Sequence, residues 1–84
     1  MALDKILANM DDKRNCLEIA VDSTGQLMVK ILNVNGQFIK TVTKSFQSNA
    51  GNFSVALDDL SKGVYILNVF KDNSFIKSFY YNKY

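Results

Sequence analysis

The stretch Val55 to Val69, VALDDLSKGVYILNV, decides the fold. It opens on the end of an alternating run in which Phe53, Val55 and Leu57 share one face. It closes on a second run, Val64 to Phe70, with Tyr65, Leu67 and Val69 on one face and Val64, Ile66 and Phe70 on the other. A period of two is the signature of a β-strand. Between the runs, Asp58-Asp59-Leu60-Ser61-Lys62-Gly63 reads as a polar corner. A strand that is apolar on both faces is buried on both sides, so Val64–Phe70 is expected to be the most central strand.

The same period extends in both directions. Upstream, Leu17, Ile19 and Val21 alternate with Glu18, Ala20 and Asp22. A turn at Ser23-Thr24-Gly25 leads to Gln26–Val34, which carries Leu27, Val29 and Ile31 on one face. Asn33-Val34-Asn35-Gly36 breaks that strand, and Phe38 to Thr43 completes a β-hairpin. Residues 45–51, SFQSNAG, read as a polar connection. Downstream, Lys71-Asp72-Asn73-Ser74 is a tight turn into a last strand, Phe75 to Tyr81. Its alternation sets Phe75, Phe79 and Tyr81 on one face and Tyr80 on the other. Short strands with regular turn signals predict an all-β fold: an Ig-like antiparallel β-sandwich of about seven short strands.

The hairpin register follows from its turn. A two-residue Asn35-Gly36 loop sets Ile31 opposite Lys40, and a three-residue loop closed by Gly36 in the left-handed region sets Ile31 opposite Ile39. A buried face favours the second, at the cost of placing Lys30 opposite Lys40. Residues 1–14 are ambiguous. Leu3, Ile6, Leu7 and Met10 have helical spacing, but Asp11 and Asp12 stand at the wrong end for the helix dipole. The segment is a leader or an opening edge strand; a strand through Lys5–Ala8 is preferred, since a sandwich needs its edge covered. Residues 15–84 form the sandwich.

Composition excludes many functions. With 84 residues there is room for one domain, and its fractional burial on folding is about 60–65%. Without histidine there is no Ser-His-Asp or Cys-His system and no His-ligated zinc. One cysteine, Cys16, makes neither an internal disulfide nor a thiolate cage, and reads as a small strand side chain. The doublets Asp11-Asp12 and Asp58-Asp59 point their members to opposite faces, so neither forms an acid–base pair. No enzyme activity, cofactor or metal is expected. A net charge of +2 with scattered basic residues gives no footprint for nucleic acid. No apolar run is long enough for a transmembrane helix, and acidic residues within 1–20 exclude a signal peptide.

Two segments carry a resemblance. Val29 to Val42, VKILNVNGQFIKTV, joins alternating apolar residues through an Asn-Gly turn. The opening stretch adds Asp-x-Leu, a short corner and Gly-x-Tyr. In this order and separation they resemble the C-terminal sorting domain of type IX secretion cargo from Bacteroidota (the Por secretion system, or type A sorting domain), over about residues 15–84. One departure is that Asn9 is followed by Met10 where the family has proline. Gly63-x-Tyr65 after Leu60 matches a tyrosine corner, and Leu67 stands where an antibody-type domain has its second cysteine.

The resemblance implies a non-catalytic label on a cargo protein in cis. It implies recognition by the outer-membrane type IX translocon and removal by a surface sortase-like enzyme. The expected location is the periplasm in transit, then the cell surface or the medium. Candidate recognition residues are Asn35, Gly36, Lys62, Gly63, Lys77 and Lys83; Leu60, Gly63 and Tyr65 form the structural corner. An exposed last strand is also a surface for strand addition or for self-association. The alternative function is an Ig-like carbohydrate- or protein-binding adhesion module.

Overall fold

A computed structural model describes residues 6–21, 24–47 and 51–84. Among the described residues seven strands run in sequence order: β1 Ile6–Asp11, β2 Cys16–Val21, β3 Gly25–Asn33, β4 Phe38–Phe46, β5 Gly51–Ala56, β6 Gly63–Lys71 and β7 Ser74–Lys83. They form a three-stranded sheet, β1-β2-β5, and a four-stranded sheet, β4-β3-β6-β7, with every pairing antiparallel. The chain crosses between sheets after β2, β4 and β5, which makes an Ig-like Greek-key sandwich. β6 lies inside its sheet, between β3 and β7, as expected, but only one of its faces is buried: Tyr65, Leu67 and Val69 are in the core, while Val64 is exposed and Ile66 and Phe70 are half-buried.

The core is the meeting of the inner rows. β2 supplies Leu17, Ile19 and Val21; β3 supplies Leu27, Val29 and Ile31; β6 supplies Tyr65, Leu67 and Val69. Val55, Leu57, Leu60 and Tyr81 complete it. With no disulfide to constrain the unfolded chain, this apolar burial is the main source of stability. β1 pairs with β2 along its whole length, from Ile6–Val21 to Asp11–Cys16. Ile6, Ala8 and Met10 pack on the core while Leu7 is 67% exposed, so period two prevails over helical spacing in Ile6–Met10. The expected turn at 23–25 falls partly outside the described residues.

Two bulges change the expected registers. The β3–β4 turn is the three-residue form: Gly36 N–H donates to Asn33 O at 2.9 Å, Asn33 N–H donates to Gln37 O at 2.9 Å, and Gly36 has φ of 83°. That dihedral is open to glycine without the Cβ clash other residues incur. The expected Ile31–Ile39 pair nevertheless does not form. A register shift follows at once: Leu32 faces Phe38, Ile31 faces Lys40, and Ile39 is the extra residue. Lys30 accordingly faces Thr41 and escapes Lys40.

A second shift lies between β6 and β7, where Val69 faces Lys77 and Phe70 faces Phe75. Ile76 is the extra residue, so the face assignment reverses before it. Phe75 leaves the row of Phe79 and Tyr81 and joins Phe70 on the outer face, with ring centroids 5.7 Å apart at 71°. The bulge separates residues that simple alternation puts together.

A further expectation is corrected. Ser45 and Phe46 belong to β4, and Gly51 opens β5, so the connection is shorter than 45–51; residues 48–50 lie outside the described residues. Phe46 is buried, with its ring over Gly51, where a Cβ would stand 2.3 Å from ring carbon Cδ1. Strand order also sorts the charges that the strands carry. Strands β3, β4, β6 and β7 carry Lys30, Lys40, Lys44, Lys71, Lys77 and Lys83 and no Asp or Glu. Strands β1, β2 and β5 carry Asp11 and Glu18 and no Lys or Arg. The two sheets therefore differ in the sign of their charge.

Candidate recognition surface

Antiparallel pairing gathers several connections at one end of the sandwich. Asn33 faces Tyr65 and Tyr65 faces Tyr81, so the β3–β4 turn, the start of β6 and the close of β7 are neighbours. Residues 12–15 join them, because Leu57 N–H donates to Asn15 O at 2.8 Å.

The β5–β6 corner is held by its own side chains. Leu60 N–H donates to Leu57 O at 3.2 Å, and buried Leu60 anchors the loop in the core. Tyr65 Oη donates to Ser61 O at 2.6 Å, four residues upstream, the geometry of a tyrosine corner. From β7, Lys83 Nζ reaches Asp58 O at 3.3 Å and, more distantly, Leu57 O at 3.5 Å. Lys40 Nζ bonds both carboxylate oxygens of Asp59 at 2.9 Å. The Lys40 hydrogen bond is the main cause that holds the Asp59 carboxyl below its ordinary range.

A second tyrosine ties the sheets together. Tyr81 Oη donates to Asn15 Oδ1 at 2.7 Å, across 66 positions of sequence. Asn15 has φ of 51°, tolerable for asparagine, so the β1–β2 turn aims its side chain at Tyr81. Burial raises the Tyr81 hydroxyl above its ordinary pKa, and Asp12 and Asp58 add to the rise.

The β3–β4 turn is pre-shaped by Asn33. Its Oδ1 accepts from Asn35 N–H at 3.0 Å and Gln37 N–H at 2.9 Å, while its Nδ2 donates to Gln37 Oε1 at 2.7 Å. This is an Asx-type turn, so Asn35 and Gly36 are presented as a fixed, exposed tip.

Of the six candidates, Asn35, Gly36, Lys62, Gly63 and Lys83 lie at this end. Lys62 is exposed on the corner, and Gly63 begins β6 opposite Lys83. Lys77 is apart from them, mid-β7 opposite Val69 and about 20 Å from Lys83 along the strand. Its Nζ lies 5.1 Å from the centroid of the Phe79 ring.

Asn15, Asn33 and Tyr81 were not among the candidates, although they shape the surface. Asn33 had a signal, an Asx residue opening an Asn-Gly turn. Asn15 and Tyr81 had none, because their contact exists only once the two sheets pack.

Little here suggests chemistry on a bound molecule. Cys16 Sγ donates to Glu18 Oε1 at 3.3 Å, and Glu18 Oε1 also accepts from Ser54 Oγ at 2.9 Å. Burial, then the Glu18 contact, pushes the Cys16 thiol up, away from a reactive thiolate. Among the described residues there is no group of three His, Cys, Asp or Glu side chains placed to hold a metal ion.

The fold and this surface define a small Ig-like sandwich whose distinctive residues shape turns and edges. Comparison with protein families agrees: residues 13–80 match the secretion system C-terminal sorting domain. The chain belongs to that family, and its function is that of a C-terminal type IX secretion sorting signal, directing export to the cell surface or secretion. That function entails interaction with the type IX machinery, and an adhesion module is not favoured. A search of curated proteins gives no match to the chain.

Proposed function

We propose that the sorting signal is read in the periplasm, as a folded sandwich, by the outer-membrane translocon. The surface read combines the turn-bearing end, with Asn35, Gly36, Lys62, Gly63 and Lys83, and the last strand with Lys77. Once the cargo has crossed, a sortase-like enzyme removes the domain, which itself catalyses nothing. The domain proper starts near residue 15, with residues 6–11 as its opening edge strand.

One observation carries this reading: five of the six candidates come from three separate segments and converge on one end of the fold. Their side chains are not needed to fill the core, where the buried positions belong to other residues. Side chains that do not pack, on a backbone that is tightly held, are suited to recognition.

The test fuses residues 1–84 behind a periplasmic reporter in a bacterium with a type IX system. Reporter at the surface or in the medium, dependent on the translocon, is the expected result. Retention in the periplasm, while an authentic sorting domain exports the same reporter, refutes the reading.

A further inference from the structure

We propose that the free edge of β7 takes up an added strand from an acidic partner segment and that it discriminates against a second copy of this chain. The proposal rests on the reading of β7 as part of the recognition surface and names the chemistry of its partner.

The sheet order β4-β3-β6-β7 leaves one side of β7 unpaired among the described residues. At ten residues β7 is the longest strand of the fold. Proteins keep edge strands short or blunt them, because a row of unpaired N–H and C=O groups templates another strand. Past the bulge at Ile76, Lys77–Lys83 is still a run of seven edge residues, long enough to be a site for main-chain recognition.

Charge selects the occupant. β7 carries Lys77 and Lys83 and no carboxylate, and its parent sheet has none in any strand. Pairing β7 with β7 of a second copy would put four lysines and no acid into one ladder, and like charges across a ladder are destabilising. An incoming strand with a carboxylate beside Lys77 gains an opposite-charge pair instead. Among the described residues Lys77 has a ring contact and no carboxylate partner, so its ammonium is available.

Shape sets the rest. Beside the final residues of β7 runs a groove of about 520 Å³, lined by Tyr80, Lys83 and Tyr84 and, from the β1–β2 turn, Asp12 and Asn15. Among the described residues Asp12 has the one side-chain carboxylate lining it, which places the partner's acid at the Lys77 half of the strand. Ile76, Tyr80 and Tyr84 are 41%, 77% and 91% exposed. They offer apolar contact to alternate side chains of the added strand. The partner is thus an extended segment with carboxylates on one face and aliphatic or aromatic residues on the other.

The test titrates the 84-residue chain into labelled eight-residue peptides and reads fluorescence anisotropy and amide exchange. The probes are alternating Glu-Val, its Lys-Val counterpart, and Glu-Val N-methylated at alternate residues. Saturable binding of Glu-Val, with slowed exchange in β7 and none in the other edge strand of its sheet, β4, is expected. N-methylation should weaken binding at least tenfold, Lys-Val should not bind, and K77E should lose Glu-Val at least tenfold. Sedimentation should show a monomer. Absence of Glu-Val binding, indifference to N-methylation, protection on β4, or a dimer joined through β7 would each overturn the proposal. Export separates this from the sorting mechanism. Lost peptide binding with export intact rejects the edge proposal alone; peptide binding by a chain that fails to export rejects the sorting mechanism alone.

Discussion

The two ends of the sandwich are closed by different means. At the turn-bearing end, side-chain hydroxyls and amides make the closing bonds: Tyr65 to the Ser61 carbonyl, Tyr81 to the Asn15 side chain, Asn33 to its own turn. At the other end the closure is buried. Lys71 is 5% exposed, and its Nζ donates to Thr24 O at 3.1 Å and Asp72 Oδ2 at 3.3 Å. Asp72 Oδ1 accepts from Gln26 N–H at 2.9 Å, Asp72 N–H returns a bond to Gln26 O, and Phe46 covers Gly51 nearby. One end keeps exposed side chains on a rigid frame; at the other, Lys71 and Phe46 are enclosed while Asp72 stays more than half exposed. The first can be altered at its tips without loss of packing, and the second cannot.

The largest effect should come from the enclosed end. Phe46→Ala removes a buried ring and is expected to cost about 3–4 kcal/mol, read from denaturant unfolding. A cost below roughly 1 kcal/mol would show that Phe46 does not close the core.

Next come the tyrosines. Tyr81→Phe leaves Asn15 without its donor and should cost about 1–2 kcal/mol by the same assay. The pH dependence has a definite sign. Tyr81 has its pKa raised above 10.0, so the folded state retains a proton that the unfolded chain gives up. The stabilisation is complete below the unfolded tyrosine pKa of about 10 and is lost as pH rises through the higher folded value. Tyr81→Phe should lose less stability than the parent chain between neutral pH and alkaline pH. Equal alkaline losses would contradict burial of the hydroxyl.

The smallest effect belongs to the exposed ion pair. Lys40→Ala or Asp59→Asn should leave the unfolding midpoint unchanged, since exposed pairs are weakly coupled and screened by salt. A clear shift in midpoint would make the corner depend on that pair and not on Tyr65 and Leu60.

Much of this contrast was legible in the sequence. Alternation at Leu17–Val21, Leu27–Ile31 and Tyr65–Val69 identifies the core strands, and Leu60, Gly63 and Tyr65 mark the corner. What was hidden depends on pairing. Bulges at Ile39 and Ile76 leave no trace in a single strand's period, so the Ile31–Ile39 pair and the placement of Phe75 were misassigned. Phe46 stands in a polar context and enters the core only because Gly51 leaves room for its ring. Lysines spread along the chain become segregated only when strand order assigns them to one sheet. For the candidate surface, the turn motifs and the resemblance they carry located its members, and their convergence required the registers of β3, β6 and β7.

The most direct measurement is export of a reporter carrying the domain with Asn35→Ala and Lys62→Ala together. Both residues are exposed, so the unfolding midpoint should be preserved, with the free energy of unfolding within about 0.5 kcal/mol of the parent. Export falling at least tenfold with that midpoint preserved is the predicted result. Undiminished export would contradict the claim that the turn-bearing end is what the secretion machinery reads.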